Sequence, residues 1–166
     1  MSGLLVGAGR PTDMVVDTAM YTVHMALSAL WTGSVLFVVL AVLPLAMDGD
    51  VSPDVLGRVV STLQWVTRAS ALLTLLSGGY LAVTGGYTVD RLTGTAGGYL
   101  VVVMVLLWLG LAAVVEIGSA RAQRGIDERK IRQPARDARP FYLVAVALSV
   151  GLLVVSGLLG MPPAFL

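Results

Sequence analysis

The chain contains no cysteine and a single histidine, and only 13% of its 166 residues are charged, against about 25% in an ordinary soluble domain. Without cysteine there are no disulfides, thiolate metal sites, iron–sulfur clusters or cysteine nucleophiles. The shortage of charge, set beside 57% hydrophobic residues and a mean hydropathy of +0.87, argues against a soluble fold and points to a membrane. An excess of either sign is missing too, since 11 Lys and Arg stand against 10 Asp and Glu. The balance names no partner, because in a membrane protein it is the placement of charge along the chain that matters. No Walker loop, HExxH helix or nucleophile elbow occurs, so the chain is not expected to be an enzyme.

What is present is a set of long apolar runs. No charged side chain lies between Asp17 and Asp48, a stretch longer than the roughly 20 residues that cross a bilayer core. Four spans are expected at about residues 18–44, 60–87, 98–120 and 141–160, in one membrane domain covering 1–166. Arg68 interrupts the second run, Glu116 lies in the last turns of the third, and Gly160, Pro162 and Pro163 close the fourth. The runs are continuous and do not alternate, which excludes barrel strands. The expected fold is an all-α, four-transmembrane-helix bundle, with residues 1–13 a short mobile or interfacial arm.

Seven of the eleven basic residues fall between Arg121 and Pro140: Arg121, Arg124, Arg129, Lys130, Arg132, Arg136 and Arg139. The positive-inside rule places this connection in the cytoplasm and both termini outside, as expected of a multi-pass protein of the cell membrane. Interleaved Asp127, Glu128 and Asp137 argue against nucleic acid as its partner, and contact with anionic lipid headgroups suits it better.

Orientation converts position into depth at about 1.5 Å per residue. His24 then lies roughly 9 Å inside the outer end of the first span, and Met104 is comparably deep in the third. Met20, His24, Ser28 and Trp31 share one helical face, and Met104 and Trp108 are one turn apart. If these faces meet, an imidazole and thioethers converge in the outer leaflet, a donor set that favours Cu(I) over hard cations. Met25 is about 100° around from His24, at the edge of this face. An ionisable side chain at membrane depth marks a functional site by default, against the alternative of a neutral histidine bonded to a neighbouring helix. Arg68 and Glu116 share a second depth near the inner face and are expected to form a structural ion pair; snorkelling of Arg68 to the headgroups is the alternative.

The pairs Ala29/Gly33 and Ser156/Gly160 have the small-xxx-small spacing of close helix contacts. Gly78, Gly79, Gly85 and Gly86 are expected to loosen the end of the second span. Tyr21, Tyr80, Tyr87 and Tyr99 fall at the outer boundary, and Phe141 and Tyr142 at the inner one, as interfacial anchors do.

The first span, YTVHMALSALWTGSVLFVVLAVLP, resembles the opening span of the copper resistance D family, in which a histidine precedes a Trp-x-Gly element and a helix ending in Leu-Pro. Here those positions are His24, Trp31, Gly33, Leu43 and Pro44. The arginine-rich basic loop, with its ERK and ARP elements, is similar to haloarchaeal, and hence archaeal, members. The resemblance implies copper ion transport or copper resistance, with His24 the carried-over ligand; Met20 and Met104 are the metal ligands that the face and depth argument adds to it. A second copy of the chain or an extracytoplasmic copper-binding protein would be the partner. Two other readings fit a four-helix membrane protein: a haem b or redox-complex subunit with His24 as axial ligand, and a purely structural subunit.

Overall fold

Pro11 opens the first helix at a position where a missing N–H costs nothing, and Asp13 in the first turn suits the positive helix end. The computed structural model describes residues 11–128 and 130–161, and every element among them is helical. Helix α1 spans Pro11–Phe37 and continues through a π-helical turn, Val38–Val42, into α2, Leu43–Asp48. Pro44 accounts for the π turn, since its ring excludes the carbonyl four residues back and it has no N–H to offer. The ladder widens instead, with the Leu43 N–H bonding the Val38 carbonyl. Gly49, at φ 85°, ends α2 in the left-handed region, where the Arg132 guanidinium occupies the space a side chain would need. Arg132 donates twice to the Asp48 carbonyl, at 3.1 and 2.8 Å, and so ties α2 to the last helix.

Helix α3, Pro53–Thr84, is capped by Ser52, whose hydroxyl accepts from the Val55 N–H. The short α4, Val89–Gly94, follows Thr88, and α5, Ala96–Asp127, follows Thr95, each threonine capping its helix. Helix α6, Arg132–Leu159, is the last of the described elements. The first helical rod with α2, together with α3, α5 and α6, gives four stretches long and apolar enough to cross a membrane. At 32 residues, α5 is about 48 Å long, enough for the whole bilayer with its headgroup zones. Large apolar side chains point outward along it and its neighbours, among them Leu106 and Val83, at 62% and 79% exposure. In lipid that surface needs no cover. The chain is a multi-pass, all-α four-helix membrane bundle.

The helices run past the apolar spans read from the sequence. The first starts at Pro11, not near 18; α3 covers Pro53–Thr84 instead of 60–87; and the basic connection expected over 121–140 is mostly helix, from α5 to Asp127 and from Arg132 in α6. Apolarity marks the hydrocarbon layer, whereas capping groups set where a helix stops. Of the expected arm, residues 11–13 are helical and residues 1–10 lie outside the described residues, as do Pro162 and Pro163.

Neighbouring helices pack in the order α1, α3, α5, α6, with α6 returning to α1 and α2. The closest pair is α5 and α6. Leu148 covers Gly110 and Leu107 covers Gly151, while Gly118 seats Phe141 and Tyr142 and Gly125 seats Pro134. These glycines do the work expected of Gly33 and Gly160, which have no side chain of a neighbouring helix against them. Tyr142 is likewise no interfacial anchor: it is 2% exposed and its phenol shares a hydrogen bond of 3.1 Å with Ser119. The apolar core, with Val35, Leu63, Leu111, Val115 and Ala145, lies toward the end that carries the basic connection.

Candidate functional site

Seven positions on α3 are buried: Leu56, Val60, Leu63, Thr67, Ser70, Thr74 and Ser77. They recur at alternating steps of four and three, so they form one seam facing the bundle interior. Toward the basic end the seam is apolar; from Thr67 onward it is entirely hydroxyl. Thr74 and Ser77 satisfy their own hydrogens on carbonyls one turn back, at Ser70 and Leu73, both at 2.7 Å. Their oxygens remain free to accept from other helices.

Three side chains use the hydroxyl seam. The Trp31 indole donates to Thr67 Oγ1 at 3.1 Å, and the Trp108 indole donates to Thr74 Oγ1 at 3.1 Å. His24 Nδ1 lies 3.0 Å from Ser77 Oγ. Ser77 has one hydroxyl hydrogen, and the Leu73 carbonyl takes it. Nδ1 is therefore the donor, and the neutral ring, with its tautomer assigned from this network, keeps its lone pair on Nε2. The ring lies where Gly78 has no side chain: a Cβ there would come within 2.9 Å of His24 Cε1. Farther along α3, the Tyr80 hydroxyl donates to Asp17 at 2.8 Å and fixes the register of α1 on α3.

Trp108 sits level with Thr74, and α5 runs antiparallel to α3, so Met104, one turn earlier, comes level with Gly78 and hence with His24. Helices α1 and α5 each bond to α3, through His24 and through Trp108, and His24 and Met104 are carried on these two neighbours of α3. Met20 is one turn from His24 on α1, and both are half-buried. The other expected supporting residues have partners of their own. The Ser28 hydroxyl bonds the His24 carbonyl at 2.8 Å, and Met25, 40% exposed, takes the Ser156 hydroxyl on its sulfur at 3.9 Å. Among the described residues there is no group of three or more His, Cys, Asp and Glu that could hold a metal ion. Any cation at this level would bind Nε2 together with thioether or carbonyl donors.

Arg68 and Glu116 form a two-pronged ion pair, Nε to Oε1 at 2.7 Å and Nη2 to Oε2 at 2.9 Å, and Gln64 adds a third bond to Oε2 at 3.4 Å. Both carboxylate oxygens are committed to it, which suits fixed pairing of α3 with α5.

Thr67, Thr74 and Ser77 were not singled out from the sequence. The heptad continuing Leu56, Val60 and Leu63 into hydroxyl residues was the available signal, and the Gly78 site that looked like a loosening of the helix is the seat of the imidazole. No protein-family model matches the chain, and no curated protein or solved structure matches it.

Proposed function

We propose that this membrane protein handles copper, as the resemblance of its first span to the copper resistance D family implies. Cu(I) is coordinated transiently by His24 Nε2, with Met20 and Met104 at neighbouring heights, and passes on between the helices. In this reading the basic connection is cytoplasmic, both termini are outside, and His24 lies in the outer leaflet. The observation that carries the reading is the bond from His24 Nδ1 to Ser77, whose own hydrogen goes to Leu73. A second-shell acceptor of this kind orients an imidazole for ligation through the opposite nitrogen and raises its basicity. Imidazole with thioethers favours a soft monovalent ion.

The test is Cu(I) binding by the purified, reconstituted protein under anaerobic competition with a chromophoric chelator, beside His24→Ala. About one Cu(I) per chain, lost in the variant, supports the reading. A Soret band in the wild type that His24→Ala abolishes replaces copper with haem b. Binding of neither, with the fold intact, leaves a structural subunit.

A further inference from the structure

At the basic end, the last turns of α5 and the first turns of α6 continue past the apolar spans and enclose an open groove of about 640 Å³. Arg121, Arg124, Gly125 and Glu128 line one wall at helical spacing, and Gln133, Pro134, Arg136, Asp137 and Pro140 line the other. A Cβ on Gly125 would overlap the Pro134 ring, so the two helices are in contact there and hold the walls at a set distance. Four cations, Lys130 with the three arginines, stand against two carboxylates. Both carboxylates have partners: Glu128 pairs with Lys130 at 2.6 Å, and Asp137 accepts from Gln133 at 2.9 Å. Among the described residues, no carboxylate lies within salt-bridge distance of Arg121, Arg124 or Arg136.

The groove also has a defined height. The Arg121 guanidinium stacks on the Phe141 ring at 4.4 Å, and Phe141 begins the apolar run of α6. The mouth of the groove is therefore at the hydrocarbon boundary, and its arginines are at the level of lipid phosphates. Guanidinium groups prefer phosphate because their donors match its oxygens in pairs. Polybasic segments beside membrane spans attract anionic lipids in general; here three arginines without carboxylate partners are also held on the walls of one groove.

We infer that the α5–α6 groove is a binding site for the phosphate headgroup of one anionic glycerophospholipid, seated by Arg121, Arg124 and Arg136. The experiment uses the full chain in neutral detergent, delipidated, with lipid binding followed by native mass spectrometry and thermal unfolding. Phosphatidylglycerol is compared with phosphatidylcholine of the same chains and with inorganic phosphate. Saturable binding of about one phosphatidylglycerol per chain is expected, weakened about thirty-fold in Arg124→Gln/Arg136→Gln, as the loss of two interfacial cations implies. Arg91→Gln, at the opposite end of the bundle, is expected to keep wild-type binding, and unfolding without added lipid shows whether each variant is folded. Equal binding of phosphatidylcholine, unchanged affinity in the folded double variant, or saturation by inorganic phosphate with no preference for lipid overturns the inference.

Discussion

Trp31 is 2% exposed and Thr67 is not exposed at all, and the 3.1 Å bond between them crosses from α1 to α3 at the point where the seam changes from apolar to hydroxyl. Thr67→Val keeps the shape of the side chain and removes the acceptor. The indole N–H is then left in a site that water cannot reach. An orphaned buried donor costs about 1–3 kcal/mol, and measured interhelical bonds in a membrane protein average about 0.6 and reach about 1.7 kcal/mol. The lower scale is the relevant one, because the unfolded chain in a membrane also finds partners. We expect Thr67→Val to cost about 1 kcal/mol, roughly a five-fold shift toward the unfolded state. Trp31→Phe removes the donor and part of the packing, so it costs more by itself. In the double variant, however, Thr67→Val should cost almost nothing, because no donor remains to be orphaned. The assay is reversible unfolding in mixed detergent micelles, read by circular dichroism, on the full cycle of four proteins. If Thr67→Val is as costly with phenylalanine at position 31 as with tryptophan, the bond contributes nothing and the directed role of the hydroxyl seam is wrong.

Four further outcomes follow from the local geometry. Ser77→Ala removes the acceptor of His24 Nδ1, and the loss of such a second-shell partner should weaken Cu(I) binding about 10- to 100-fold with membrane insertion unchanged; unaltered affinity separates the metal chemistry from this bond. Gly98→Ala drives a Cβ into the Arg91 carbonyl and the Leu92 backbone, which cannot rotate away, so a loss of about 1–3 kcal/mol is expected. Gly94→Ala, with open space around it, should stay within about 0.5 kcal/mol of wild type in the same unfolding assay. Outside the membrane, the hydrogen bond from Lys130, and then its charge, hold the Glu128 carboxyl below the usual glutamate value, and Glu128 raises Lys130 in return. The Glu128 contribution is present above its unfolded value and lost as pH falls through the lower folded one; that of Lys130 is lost as pH rises through its raised one. A carbon-detected titration should place the Glu128 midpoint low and return it upward in Lys130→Gln, whereas an unmoved midpoint contradicts the pair.

The fold class could be read from the sequence because lipid imposes it: long uncharged runs have to be helical to satisfy their backbone. Arg68 and Glu116 could be matched because burial at membrane depth and opposite charge each narrow the choice, and the structure brings them to 2.7 Å. Helix ends were less legible, since Ser52 and Thr95 start α3 and α5 by capping and α1 already begins at Pro11, all before the apolar runs. The packing glycines were misplaced for a different reason. Spacing of four between small residues is common in a chain with 19 glycines, and only the partner helix decides which of them are used. Leu148 and Leu107 choose Gly110 and Gly151. For the site, His24 and Met104 could be placed at one depth, but the helix between them could not be identified, because serine and threonine in an apolar run look like incidental polar content until the heptad is counted.

That heptad explains why the histidine is held where it is. In lipid, apolar burial between helices supplies little net attraction, so association depends on close packing and on directed bonds. The half of the bundle nearer the basic connection uses packing: Leu56, Val60 and Leu63 of α3 join Leu111, Val115 and Ala145 in a continuous core. Along the other half, from Met14 to Leu30, α1 has no buried residue, and there α3 offers Thr67, Ser70, Thr74 and Ser77. A well-packed core excludes ligands and resists movement. A helix held by single hydrogen bonds keeps its register, yet it can part from its neighbour at the cost of one bond at a time. His24 is in that second half, bonded to Ser77 through Nδ1 and with no hydrogen bond on Nε2 among the described residues. For the ion-handling role proposed above, an imidazole that receives an ion and then releases it is better served there than by a place in the apolar core.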